Sequence, residues 1–443
     1  MISSHPMTVP CQWFFRLAIA LDRRSAPRLA LLFLGAVLAR GRRTITTWIR
    51  AAKLSSQYQS CYIAVAAAGK KADIIARRLL IEVILPLLKG ATRLTLALDD
   101  TPTKRYGPQV QGAGVHHNPT PGPAGSPYVY GHVFVVLGLL VSHKAWGTIA
   151  LPLLARLYVR KKDLPAIDPK HRPAFRTKLE LAVDLLRWAR PWLELLNLPI
   201  WVVADGAYAK KEFLKPAMSL GMTIVSRLRR DAALRTVPGP RPSGKRGRPR
   251  TYGPDVIDLA KRAGQRRGWS SDTLTLYGVA SVKKYKSFLA TWRPVGGVIR
   301  VVVVDEPKGW RAFFCTDTSA SVAEILGMVA DRFSLEITFR ECKQIVGAGQ
   351  QQVRFLWANI GTFHICLWTF TLTEAWAWGR KDEVLVDRSA SPWDKPSRRP
   401  SHADKRRAWR RELLGEEIRA VVRPGVTEAE IQATADRLLS LAA

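Results

Sequence analysis

The sequence predicts an α/β protein: a mixed sheet flanked by helices, interrupted by a β-rich insertion and preceded by an all-helical module. Three observations carry this reading. Residues 1–90 repeat apolar side chains at helical spacing and contain no convincing strand; short apolar runs begin at Leu94; and between about 229 and 295 the pattern breaks into Arg, Pro and Gly before such runs resume.

In the first segment Phe14, Leu17 and Ala18, and later Ile75, Leu79 and Val83, recur as helix faces do. Arg40 to Leu54 reads as a short basic helix that Thr44 can cap, with Ile45, Trp48 and Ile49 on its buried face and Arg42, Arg43 and Arg50 outside. It is either a solvated basic helix or a helix-turn-helix element entering a DNA groove.

From Leu94 the period changes. Leu94 to Leu98 is a strand, a Pro/Gly-rich loop runs from Thr101 to Pro127, and Val133 to Val141 has the near-continuous apolar character of a strand buried on both faces. Ile149 to Val159 adds a strand, Phe175 to Leu193 an amphipathic helix, and Ile200 to Ala204 and Met222 to Val225 two further strands. Ser226 to Tyr285 is the insertion, with one short strand near Leu274 to Val279. Leu289 to Trp292 and Val298 to Val304 return to the sheet. A helix from Ser321 to Val346 opens with the Ser321/Glu324 capping box, and a Trp-rich helix follows from about Val353 to Trp378. A polar linker, Arg380 to Ala403, leads to two small helices, the last starting at Thr427. The expected division is 1–90 helical module, 91–228 first part of the sheet domain, 229–295 insertion, 296–380 second part, and 381–443 linker and terminal helices.

The 443 residues include 69 Lys and Arg against 35 Asp and Glu, a formal net charge of +34. Such an excess points to a polyanionic partner, nucleic acid above all. The five cysteines are scattered, without CxxC or Cys/His metal spacing, as in a reduced intracellular protein. Leu29 to Ala39 is apolar but well short of the roughly 20 residues that span a bilayer. No secretory signal pattern opens the chain, so the expectation is a cytoplasmic, nucleoid-associated bacterial protein without a membrane segment.

Three acids stand out. Asp99-Asp100 and Asp205 are read as ending apolar strands, where open α/β sheets place their ligands. On the helix from Ser321, each residue advances 100°, so Arg332, Glu336 and Lys343 fall within about 40° of one another, and Glu341 points roughly opposite Glu336. Singly, a strand-end Asp is a turn former, and Arg332 with Glu336 is an ordinary surface ion pair. Together, three carboxylates suit two divalent cations clamping a phosphodiester, with Arg332 and Lys343 beside the phosphate. The loop Ser243 to Gly253 has an Arg-Gly-Arg-Pro core like an AT-hook, offering Arg246, Arg248 and Arg250 to a minor groove or the DNA backbone rather than to solvent alone. His116, His117, His132 and His143 match no metal spacing and read as loop or core residues.

Three segments carry a resemblance: Asp-Asp-Thr-Pro-Thr-Lys-Arg-Tyr-Gly at 99–107, Val-Ala-Asp-Gly-Ala-Tyr at 203–208, and Arg-Phe-Ser-Leu-Glu-Ile-Thr-Phe-Arg-Glu-Cys-Lys-Gln at 332–344. They resemble the DDE transposases of bacterial insertion sequences, in the IS-four superfamily branch with an Asp-Asp-Thr first motif. The resemblance spans about residues 30 to 380. It implies a ribonuclease-H-like core, catalytic and metal-binding acids Asp100, Asp205 and Glu336, with Asp99 in reserve, and two Mg²⁺ or Mn²⁺ ions. It further implies phosphate contacts from Arg332, Lys343 and Lys104, and Trp310 as a candidate for base stacking. The chain departs from the family signature at Val329, where the family has a Tyr that contacts phosphate. The implied activity is cut-and-paste transposition by a homodimer on double-stranded transposon ends and target DNA. The alternatives are an inert transposase-derived DNA-binding protein and a ribonuclease-H-like nuclease without strand transfer.

Overall fold

The computed structural model describes residues 9–118, 125–240, 247–389 and 391–442. The amino-terminal module is helical as expected: α1 (Val9–Ala18), α2 (Ala26–Leu38), α3 (Ile45–Ala51), α4 (Tyr58–Lys70) and α5 (Ala72–Leu79). Thr44 and Thr47 form a reciprocal capping box on α3, and Ile45, Trp48 and Ile49 are buried. This satisfies the exposed amides of the helix start while the apolar stripe docks.

The sheet begins at β1 (Leu94–Lys104), followed by β2 (Gly114–His117), β3 (Tyr128–His143), β4 (Gly147–Tyr158), α6 (Lys178–Glu194), β5 (Ile200–Ala204), α7 (Lys211–Ser219) and β6 (Thr223–Leu228). β3 pairs antiparallel with β1 and β4, while β5 lies parallel between β1 and β6. That order is the ribonuclease-H-like core.

β1 does not end at its acids. It continues antiparallel to β3 as far as Lys104↔Gly131, six residues past the last pair with β5, Leu98↔Ala204. Beyond Leu98 the β5 edge of β1 has no strand beside it, so Pro102, which lacks an amide proton, costs no ladder bond there. The expected loop from Thr101 accordingly starts later, and it contains β2.

The insertion holds more strand than its composition suggests: β7 (Leu234–Arg235), β8 (Val256–Ile257), α8 (Leu259–Gly264), β9 (Ser270–Leu276) and β10 (Val279–Trp292). The strand expected over Leu274 to Val279 is instead a hairpin tip. Tyr277 (φ 55°) and Gly278 (φ 77°) make the two-residue turn between β9 and β10, whose twist requires positive φ at both positions. β10 then runs unbroken from the insertion into the sheet, pairing with β11 (Gly297–Val304), which pairs with β12 (Arg311–Cys315) against β6.

α9 (Val322–Glu341) is capped by Ser321 and Glu324 and continues as a π turn, Cys342–Val346. α10 (Leu356–Ala377) is almost wholly buried, and Trp368 Nε1 and Thr371 Oγ1 donate to the β4 carbonyls of Leu153 (2.8 Å) and Pro152 (2.9 Å). After α11 (Asp382–Leu385) come α12 (His402–Val421) and α13 (Glu428–Ala442), of 20 and 15 residues, longer than the two small helices expected. α12 reaches back to the amino-terminal module, where Arg406 donates to the carbonyls of Ala36 (3.0 Å) and Ala39 (2.6 Å). Beneath it Glu374 of α10 accepts from His402 Nδ1 (2.7 Å) and Lys405 Nζ (2.5 Å), all three buried. One buried core runs through the amino-terminal helices, the sheet, α10 and α12. Among the described residues no helix is long and apolar enough to cross a membrane, and Cys61, Cys315, Cys342 and Cys366 are buried and free.

Candidate active site

Leu98↔Ala204 is the last parallel pair, so Asp99 and Asp205 come next on neighbouring strands. Asp205 closes β5 and accepts from the amide of Ala207 (3.2 Å), capping the 3₁₀ turn Gly206–Tyr208. α9 crosses this end of the sheet and lays Arg332 between two acids: Nη1 is 2.7 Å from Asp99 Oδ2, and Nη2 is 2.7 Å from Glu336 Oε1. Arg332 and Asp99 are each 18% exposed, whereas Glu336 is 44% exposed and faces the cleft. Charge-assisted bonds at such depth are stronger than surface pairs.

Successive strand residues point to opposite faces. Asp100 is therefore turned away from α9, toward Lys178 Nζ of α6 (2.6 Å) and the Tyr208 hydroxyl (3.4 Å). Lys178 thus neutralises Asp100, while Asp99 shares Arg332 with Glu336.

The electrostatics follow from this placement. Burial pushes the Asp99 carboxyl up to about 7; Arg332 opposes the rise, and the charges of Asp100 and Asp205 add to it. Burial disfavours the Arg332 charge, but Asp99, Glu336 and Asp205 more than offset that and raise its pKa. Tyr208 is held well above its ordinary value by burial and by Asp100 and Asp99. Burial lowers Lys343, which lies in the π turn after α9.

Asp99, Asp100, Asp205, Arg332 and Glu336 line a cleft of about 840 Å³ together with Lys104, Arg340, Lys343 and Gln350. A second lobe of about 380 Å³ continues past Asp205 and Glu336, walled by Val329, Phe333 and Tyr277. Val329 thus faces the cleft that the α9 spacing gives it. Tyr277, 68% exposed, reaches the same lobe from the β9–β10 tip with its ring edge toward Phe333 at 6.0 Å. Glu341 lines a different cavity, beside His402 and Glu374.

Not every expected residue comes to the cleft. Trp310 precedes β12 and lines neither lobe; its ring carries Arg230 at 5.0 Å. Arg42 and Arg50 are exposed on the amino-terminal module, and Arg43 is half-buried, its amide donating to Gln350 (2.7 Å). Arg248 and Arg250 are exposed in the insertion, and Arg246 lies outside the described residues. The sequence reading missed Lys178, Tyr208, Tyr277 and Arg105. Arg105 is buried at 3% exposure, donating to His132 Nδ1, the Asn359 side chain and the Gly349 carbonyl, and so anchors the strand end under Lys104. Nothing in a run of Lys-Arg-Tyr-Gly separates the buried base from the exposed one.

The donor chemistry fits a hard divalent cation: the carboxylates of Asp99, Asp100, Asp205 and Glu336 line one cleft, and burial, reinforced by Asp100 and Asp205, pushes that of Asp99 toward protonation. The placement is not a ready coordination sphere. No three such groups among the described residues are gathered closely enough to hold a metal ion, and the Arg332 guanidinium spans two of the acids.

No curated protein matches this chain. The family model described as DDE superfamily endonuclease matches residues 16–276, more than half of the chain, from α1 through β9. The match takes in Asp99, Asp100 and Asp205, and Glu336 lies beyond it. With the ribonuclease-H-like sheet and the acids at its parallel strand ends, this chain belongs to the DDE superfamily of endonucleases.

Proposed function

We propose that the chain is a transposase of the insertion-sequence type, which binds inverted repeats at transposon ends, cuts a DNA strand to free a 3′-hydroxyl and joins that hydroxyl to target DNA. The observation that carries this reading is the Arg332 bridge between Asp99 and Glu336 beside Asp205, in a cleft rimmed by Lys104 and Lys343. Its acids suit metal-assisted phosphodiester chemistry and its bases suit the phosphates. The Asp-Asp-Thr segment and the spacing of Arg332, Glu336 and Lys343 support the IS-four branch.

The pattern of the motif offered Asp100 as first acid. The geometry favours Asp99, because it shares Arg332 with Glu336 while Asp100 faces Lys178 and Tyr208 across the strand. Asp99, Asp205 and Glu336 would then hold Mg²⁺ or Mn²⁺. When bound, the cations supply a water or hydroxyl of lowered pKa and a stabilised leaving oxygen. Arg332 has two partners to exchange: a phosphate entering the cleft can take the guanidinium from the carboxylates, which frees them. Lys343 and Lys104, which line the same cleft, hold the strand. Lys178 and Tyr208 hold Asp100, which lines the same cleft, on the side of β1 turned from α9. Two ends are joined in one complex, so a dimer on DNA belongs to this reading.

The test incubates purified protein with Mg²⁺ and a duplex carrying the repeats that flank its reading frame, plus a supercoiled plasmid. End cleavage and joined plasmid are expected from the wild type. Glu336→Gln and Asp205→Asn should retain duplex binding and lose cleavage by at least about 100-fold, the scale of removing a group that acts in the transition state. Unchanged cleavage in both variants would falsify the site. Cleavage without joined product would make the protein an endonuclease alone.

A further inference from the structure

From Arg40 to Lys71 the chain holds seven Lys and Arg residues and no Asp or Glu. This segment folds as α3, a turn that passes through Lys53 in the left-handed region (φ 57°) and a 3₁₀ turn at Ser55–Gln57, and then α4. α3 has only seven residues, four of them buried. α4 has thirteen and divides cleanly: Cys61, Ala64, Val65, Ala68 and Gly69 face inward. Tyr58, Gln59, Tyr62 and Ile63 are exposed on its first half, Ile63 by 63%. Spaced i, i+1, i+4 and i+5, these four form one outward stripe.

Three features say what covers that stripe. The segment that carries it is cationic and has no acid of its own, which suits a polyanion. Its groups match base edges: an amide that can pair with adenine, an aliphatic chain for a thymine methyl, and two phenol hydroxyls. It is also continuous with the acid cleft. Gln350 in the cleft wall accepts from the Arg43 amide (2.7 Å), Gln351 Nε2 donates to the Arg43 carbonyl (2.6 Å), and Thr46 of α3 lies 3.3 Å from the Tyr62 hydroxyl.

We propose that α3 and α4 form a helix-turn-helix in which α4 is the reading helix, entering the major groove of duplex DNA with Gln59, Tyr62 and Ile63 while Arg42 and Arg50 hold flanking phosphates. This rests on the DNA-cutting function proposed above. It moves sequence recognition from the basic helix of Arg40 to Leu54 to the helix after it. A continuous duplex would then run from the groove-bound α4 past Arg42 to the cleft.

The experiment uses the full chain to select from duplexes with a random 20-base-pair centre, and measures anisotropy on an unselected duplex. The wild type should enrich one motif. Gln59→Ala/Tyr62→Ala/Ile63→Ala should bind the unselected duplex within about threefold of wild type but lose the enrichment, because base contacts specify and phosphate contacts position. Arg42→Ala/Arg50→Ala should keep the motif and bind all duplexes about tenfold more weakly. Gln59→Arg should exchange an adenine for a guanine at one position. An unchanged motif in both α4 variants, each folded by circular dichroism, overturns the proposal, as does a wild type that binds duplex without selecting a motif. A wild type that binds no duplex overturns the DNA-cutting function itself.

Discussion

Asp99 and Asp100 are neighbours in the chain with opposite surroundings, one sharing an arginine with Glu336 and the other paired to Lys178. Asp99→Asn should therefore abolish strand cleavage in the assay above, whereas Asp100→Asn should reduce it by about tenfold or less. Equal losses would return the role to Asp100. On the proposed reading, in which Asp99 holds a cation, binding is also pH-dependent. With its carboxyl pushed up to about 7 by burial, the proton must leave before a cation can bind, so Mn²⁺ affinity measured by calorimetry should rise with pH through about 7 and level off above. The same shift has the opposite sign for folding. Between the unfolded value near 3.8 and the folded value near 7 the folded chain keeps a proton that the unfolded chain releases, so stability falls as pH rises across that window. The fall should be absent in Asp99→Asn. At this scale Asp205 and Glu336 were legible, because a strand end and a helix stripe fix where such residues point. Which of Asp99 and Asp100 meets Arg332 was not, since alternation tells that they face apart but not which face α9 covers.

At the scale of elements, close backbone contact sets the position of α4. A Cβ on Gly69 would lie 2.1 Å from the carbonyl oxygen of Trp357, and one on Gly361 2.0 Å from that of Val65. Both contacts are with backbone, which cannot rotate aside. Gly69→Ala should destabilise by roughly 1–3 kcal/mol, the cost of overpacking a fitted contact, read as a lower urea midpoint at unchanged slope. The α10–α12 contact depends on charge instead. Burial penalises the Glu374 carboxylate, but Lys405 and His402 hold it ionised down to about 2. Because that value lies below the ordinary 4.5, the stabilisation is complete above pH 4.5 and is lost as pH falls toward 2. Glu374→Gln leaves Lys405 buried without its counter-charge and should cost about 3–5 kcal/mol at neutral pH. Periodicity revealed most helices and core strands. It misplaced the β9–β10 tip, where Leu-Tyr-Gly-Val reads as strand and the two positive-φ positions are set by the hairpin. It also ended β1 at its acids, since pairing with β3 is a long-range property that local polarity hides.

For the whole molecule, the charge of +34 dominates its behaviour toward DNA. If about six to ten phosphates are contacted, duplex affinity should fall by roughly 10³ to 10⁵ between 50 and 200 mM salt. A flat dependence in a salt titration would contradict the phosphate contacts. Composition made that partner legible without any structure. The reach of α12 onto α2 was not, because it depends on Arg406 meeting the free carbonyls at a distant helix end. The Arg332 bridge has one more consequence. An acid cluster that needed metal for neutrality would leave the metal-free chain straining against its own repulsion, but here the counter-ion is covalently part of the fold. Removing divalent ions with EDTA should therefore lower the melting temperature of the wild type less than that of Arg332→Ala, whose acids have only the cation to neutralise them.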